Sequence, residues 1–172
     1  MTGFDPRTAF RLDGTVCVVT GGGSGIGRAI AFGAARSGAR VHIFDRDAEA
    51  AARAAGDIAA EGVSATGHAV DVSDEARIVA AFDAVVQAEG RIDGLVNNAG
   101  TAIRRPAVEL ERADWQRVVD VNMTGVFLCA RTAARHMLPA GRVRSSTCPR
   151  SWACRAAGCI RTSRTRRPRA RW

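Results

Sequence analysis

Residues Thr20 to Gly27 read TGGGSGIG, and they stand between a β-branched run and a stretch with helical spacing. Upstream, Thr15 to Thr20 (TVCVVT) is a short apolar segment of the kind buried on both faces of a parallel sheet. Downstream, Ile26, Ala29, Ile30, Gly33 and Ala34 recur at i, i+3, i+4, i+7 and i+8 and mark one face of a helix, which Ser37-Gly38 stops. A strand, a glycine turn and a helix in this order bring backbone N–H groups and a helix N-terminus to a point where they can meet a pyrophosphate. Alone, such a turn is equally consistent with a merely structural bend.

The rest of the chain continues the alternation. Val41 to Asp45 (VHIFD) reads as a second strand, Ala48 to Ala60 as an alanine-rich helix and Ser64 to Val70 as a third strand. Ile78, Ala81, Phe82, Val85 and Val86 mark another helical face, Gly94 to Asn97 (GLVN) a fourth strand, and Asp114 to Leu138 a long helix ended by Pro139. Strands separated by helices predict an α/β fold with right-handed crossovers and a doubly wound, Rossmann-like parallel sheet. The pattern fades after Gly141, so the expected domain is 1–141, incomplete after four to five strands, with a tail at 142–172 to which no fold is assigned.

Asp45 ends the second strand 18 residues after Gly27. A carboxylate there can accept hydrogen bonds from both hydroxyls of an adenosine ribose and would repel a 2′-phosphate, which favours NAD over NADP. Arg46 beside it could still attract a phosphate, and an ordinary acidic turn residue is the plain alternative.

With Thr20 to Gly27 (TGGGSGIG), Asp71-Val72, Asn97 to Gly100 (NNAG) and Val121 to Gly125 (VNMTG) in this order and spacing, the chain resembles the short-chain dehydrogenase/reductase family over residues 10 to about 141. The resemblance implies an oxidoreductase that moves hydride between a nicotinamide dinucleotide and a small alcohol or ketone. It implies cofactor contacts from Thr20, Gly21, Ser24, Gly25, Ile26, Gly27 and Asp45, an adenine site at Asp71 and Val72, and cofactor-lining positions at Asn98, Ala99 and Gly100. Asn122 resembles the family's helix asparagine, which helps to hold a water behind the catalytic lysine. A polar residue kinking a buried helix is its other reading, and both can hold, because a buried amide needs partners. The helix 114–138 is also the element through which such proteins commonly form homo-oligomers.

The same comparison exposes a break. The family continues with a serine that polarises the carbonyl and a Tyr-x-x-x-Lys for proton transfer, yet this sequence has no Tyr, and all 25 of its basic residues are Arg. Residues 1–141 hold 15 Arg against 17 Asp and Glu, whereas 142–172 hold 10 Arg and no acid, so the net charge of +8 belongs to the tail. Of the 29 residues from 144 to 172, 28 are types whose codons have G or C in the middle position, against 8 of 20 in residues 81–100. A GC-rich third codon position read as the second would give this composition. Across Arg164 to Arg169 the displaced triplets permit Tyr-Ala-Ala-Ser-Lys. The expectation is a frameshift near residues 141–144 and a chain without turnover.

Two further readings follow from the tail. Ten arginines with Trp152 and Trp172 could attach to nucleic acid beside an intact dinucleotide site, although a displaced frame is basic simply because arginine has many G- and C-rich codons. A non-functional product is the other, because loss of later strands would leave the fourth strand as an open edge. The five cysteines, Cys17, Cys129, Cys148, Cys154 and Cys159, contain no C-x-x-C pair and predict free thiols in a reducing compartment and no metal site. No apolar run reaches membrane-spanning length and MTGFDPRTAF has no signal-like apolar segment, so a cytoplasmic protein is expected. His42, His68 and His136 fall in no nucleophile pattern and read as scaffold residues, and Arg104 and Arg105 as a solvated loop.

Overall fold

In a computed structural model, residues 11–138 and 145–147 are described. Five parallel strands lie in the order β3-β2-β1-β4-β5: β1 Val16–Thr20, β2 Arg40–Asp45, β3 Ala65–Ala69, β4 Gly94–Asn97 and β5 Ser145–Thr147. The helices are α1 Gly25–Arg36, α2 Ala48–Ala60, α3 Glu75–Glu89, α4 Arg112–Val119 and α5 Gly125–Met137. The expected doubly wound sheet is what forms, because β1 and β2 are largely buried on both faces and the outer strand β3 packs on α2.

Each face of the sheet has its own core. On one, Val16, Val18, Phe44 and Leu95 meet Ile78, Phe82 and Val85 of α3 and Leu128, Cys129 and Met137 of α5. On the other, Val19, Val41 and Ile43 meet Ala31 and Ala35 of α1 and Ala51, Ala54, Ala55 and Ile58 of α2. Alanines there let backbones close up: a Cβ on Gly67 of β3 would lie 2.6 Å from the Ala51 carbonyl oxygen. Local signals start and stop the helices. Asp47 and Asp74 cap α2 and α3 by accepting from the N–H groups of Ala50 and Arg77, at 3.0 and 3.1 Å. Gly90 ends α3 in the left-handed region at φ +71°.

Two expectations are corrected. The helix read as continuous from Asp114 to Leu138 begins at Arg112, and Asp120–Thr124 forms a π-helical turn between α4 and α5. There the helix runs against the chain after β3, where a Cβ on Gly125 would sit 2.6 Å from the Val72 carbonyl oxygen. The wider turn lies directly before that contact, and such bulges are frequent near functional sites. The non-functional reading left the fourth strand as an open edge, but it carries β5, within the four to five strands expected, with Leu95, Val96 and Asn97 opposite Ser145, Ser146 and Thr147. Backbone pairing satisfies an edge without any side-chain pattern, so a segment lacking strand periodicity can supply it. The remainder of the arginine-rich tail lies outside the described residues.

Successive strands run outward from β1 to β3 and then return to β4 on the other side of β1. The order reverses between β1 and β4, and open α/β sheets bind ligands at the carboxyl ends of the strands at such a point. Thr20 and Asn97 end those two strands.

Candidate functional site

Beyond those ends lies a cleft of about 270 Å³, and the sequence-derived residues Gly21, Ser24, Gly25, Ile26, Gly27, Asp45, Asp71, Val72, Asn98, Ala99 and Gly100 all line it. Its floor is a glycine cradle. Gly21 holds φ +63°, and a Cβ there would approach Ala99 Cα to 2.8 Å. A Cβ on Gly27 would fall 2.0 Å from the Gly21 carbonyl oxygen and 2.4 Å from Asn98 Nδ2. The turn therefore closes this tightly only with hydrogen at both positions.

The start of α1 is left open toward the cleft. Ser24 occupies the cap position without a side-chain hydrogen bond, and the first turn holds no acidic residue. The first N–H groups of a helix have no partner within it, and the macrodipole adds partial positive charge. An anionic group such as a pyrophosphate would meet both.

At the far end, Asp45 Oδ2 accepts from the Gly23 N–H at 3.0 Å and Oδ1 from the Asp47 N–H at 3.1 Å. The glycine turn thus fixes the carboxylate of the second strand. Asp71 Oδ1 accepts from the Ser73 hydroxyl at 2.7 Å and the Ser73 N–H at 2.9 Å, and these bonds hold its carboxyl below the usual range. Arg46 lines the same end and adds to that lowering.

Two candidates stand behind the cleft and not in its wall. Thr20 is buried under the turn, where its hydroxyl oxygen accepts from the Asn98 and Ala99 N–H groups at 3.1 Å each. Asn98 answers by donating from Nδ2 to the Thr20 and Gly21 carbonyls, both at 3.1 Å, so β1 and β4 are joined at their ends. Its Oδ1 is buried and has no hydrogen-bond partner among the described residues. Asn122, on the π-helical turn, accepts from the Thr101 N–H at 2.8 Å and donates to the Thr101 carbonyl at 2.9 Å. Thr101, Val121, Val70 and Arg46 also line the cleft, and of these only Arg46 was singled out from sequence. The tie from Asn122 to Thr101 spans 21 residues and has no local signature.

An uncapped helix start, a cradle that a Cβ would fill and an orphaned buried amide oxygen in the wall fit a dinucleotide. Among the described residues, Asp45, Arg46 and Asp71 are the titratable groups that line the cleft. Burial raises the Cys17 thiol and pushes Cys129 up to about 12, so both are unreactive. His136 meets Asp83 at 3.2 Å across α5 and α3, Arg105 pairs with Asp114 at 2.8 Å, and Arg104 is exposed. Among the described residues no group of three His, Cys, Asp or Glu could hold a metal ion, and no helix is long and apolar enough to cross a membrane.

Comparison with known proteins agrees with this geometry. Residues 15–146 match the family described as short chain dehydrogenase. The chain is 46% identical over 132 residues to D-threitol dehydrogenase of Mycolicibacterium smegmatis, covering 77% of this chain and 51% of that one. It is 39% identical over 133 residues to gluconate 5-dehydrogenase of Gluconobacter oxydans, covering 77% of this chain and 52% of that one. Among solved structures, NAD+-bound xylitol dehydrogenase aligns with TM-score 0.76 at 33% identity over 78% of this chain and 52% of that one. A 7α-hydroxysteroid dehydrogenase with NADH and 7-oxo glycochenodeoxycholic acid aligns with TM-score 0.79 at 32% identity over 84% and 56%. The chain spans about half the length of the curated relatives it matches. With this family match covering most of its length, the chain belongs to the short-chain dehydrogenase family, whose members bind NAD(P).

Proposed function

We propose that this chain is the dinucleotide-binding part of an NAD-dependent oxidoreductase acting on small alcohols of the sugar-alcohol type and the corresponding ketones. The observation that carries the reading is the glycine cradle at the open start of α1, facing a carboxylate at Asp45 that the same turn holds in place. When bound, the nicotinamide supplies the hydride acceptor or donor at its C4 position. The protein's own part is to bind and orient. Gly21 to Gly27 and the α1 N-terminus would receive the pyrophosphate, Asp45 the ribose hydroxyls, Asp71 and Val72 the adenine, and Asn98 to Gly100 the nicotinamide half. Asp45 supports NAD over NADP, since a 2′-phosphate would be brought against a fixed carboxylate. Asn122 acts as a positioning residue here, because both polar atoms of its amide are committed to the Thr101 backbone. The polyol preference rests on the substrates named in the relatives, D-threitol and gluconate.

A sequence with neither Tyr nor Lys has no group for the family's proton transfer, so binding without turnover is expected. The tail's codon pattern supports a displaced reading frame, which sequencing of the encoding nucleotides tests directly. The exposed Trp115 of α4 and Phe127 of α5 support self-association, and a cytoplasmic setting is part of the same reading. Nucleic-acid binding by the basic tail is the less favoured reading. Titration with NADH by fluorescence, paired with NAD reduction over alcohols and polyols, tests the function. Saturable binding with no turnover supports it, absence of binding refutes the cofactor site, and turnover refutes the assignment of proton transfer to the missing pair.

A further inference from the structure

We propose that His42 and His68 form a single-proton switch that holds the outer strand β3 against β2 while neutral and loosens it in acid. His42 lies in the middle of β2, its side chain 4% exposed, and both ring nitrogens are engaged. Nε2 meets Glu89 Oε1 of α3 at 3.2 Å, and Nδ1 meets His68 Nε2 of β3 at 3.0 Å. The charged groups facing the pair are Glu89 and, from β2 itself, Arg40, whose Nε donates to the other Glu89 oxygen at 3.0 Å. Phe44 closes the remaining side, edge-on to the His68 ring at 5.3 Å.

The hydrogen bonds dictate the tautomers. A carboxylate only accepts, so His42 carries its proton on Nε2. Its Nδ1 is then bare and must accept, so His68 carries a proton on Nε2 and donates. Three of the four ring nitrogens then have partners with both rings neutral, and one further proton leaves those bonds intact only at the fourth, His68 Nδ1. That proton puts a net charge into a half-buried seam between the outer strand β3 and its neighbour β2.

Burial lowers the proton affinity of His42, against the raising effect of Glu89, and burial and His42 together lower that of His68. The unfolded chain therefore takes up protons near the ordinary value of 6.5 while the folded chain does not. Above that pH the pair adds no dependence. Below it, folded stability falls until the depressed folded values are passed. The seam is placed to matter for binding, because Phe44 pairs with His68 and Asp45 with Ala69, and β3 leads directly to Asp71. This last link rests on the cofactor site proposed above.

The test follows urea unfolding of the full chain from pH 8 to 5.5 beside His68→Gln, which keeps an N–H for His42 Nδ1 but cannot titrate. The variant should roughly halve the acid-dependent loss of stability, and hydrogen exchange at Ala65–Ala69 should rise in acid relative to Val16–Thr20. Parallel pH profiles for the two proteins overturn the proposal. Nitrogen NMR of the imidazoles in the unmodified chain needs no variant: two Nε2–H tautomers with coupled, depressed titrations support the switch, and independent titrations near 6.5 overturn it. ADP-ribose, stable in acid, reports the binding link by losing affinity from pH 8 to 5.5 in the unmodified chain only. Failure of ADP-ribose to bind at either pH overturns the cofactor site, while the unfolding and NMR results still decide the switch.

Discussion

Replacing Asn98 with alanine removes the side chain that joins the ends of β1 and β4. Its Nδ2 donates to the Thr20 and Gly21 carbonyls at 3.1 Å each, and the residue is 7% exposed. Water cannot readily replace those donors, and a buried acceptor left bare costs about 1–3 kcal/mol. The pair therefore costs about 2–4 kcal/mol once partial relaxation is allowed, a large share of the roughly 5–15 kcal/mol by which domains are stable. Asn98→Asp is the sharper variant, nearly identical in shape. It presents carboxylate oxygen to two carbonyls and places negative charge at the wall of a cleft read as taking a pyrophosphate. Urea unfolding and NADH titration, run on both, should rank them unmodified, alanine, aspartate in falling stability and falling affinity. An alanine variant within about 0.5 kcal/mol of the parent, the range of surface substitutions, or an aspartate variant no worse than alanine, would show that the amide is not holding the turn.

Gly27→Ala should abolish measurable NADH binding, since its Cβ would meet the Gly21 carbonyl oxygen at 2.0 Å and the buried, hydrogen-bonded Asn98 Nδ2 at 2.4 Å. Gly33→Ala, on the same helix with nothing within 4 Å, should instead leave binding intact and stabilise by about 0.5–1 kcal/mol; similar losses from both variants would refute the steric reading. Asp45→Ser should raise NADPH affinity relative to NADH, because it removes the carboxylate and leaves Arg46 beside the ribose position. An unchanged ratio in competition titration would move cofactor choice away from Asp45.

What the sequence discloses and what it hides divide along the reach of the interactions. The cradle is legible because its requirements are local: a left-handed φ at Gly21 and a clash at Gly27 can each be met only by glycine, so the motif is written in residue identities. The strands and helices are legible through periodicity, and Asp45 through its place at a strand end. The lock on Asp45 is not, because it is made by the Gly23 N–H, a group every non-proline residue has. The π-helical turn is hidden for a related reason. A single extra residue per turn barely alters the apolar spacing on either side, and the close approach beside it is to Val72, 53 residues away in the chain from Gly125. Asn122 could be picked out by resemblance, but its partner could not, since Thr101 is gripped by its backbone alone. β5 is legible only in the count of four to five strands and not in its place, for the converse reason that backbone pairing asks nothing of side chains. His42 and His68 are the extreme case. Each reads by itself as a scaffold histidine in a strand, and only the register that sets Phe44 beside His68 turns them into neighbours. Sites built from backbone geometry and cross-strand register are therefore where a familiar motif says least, and in this chain they include the partners that hold Asp45 and Asn122 in place.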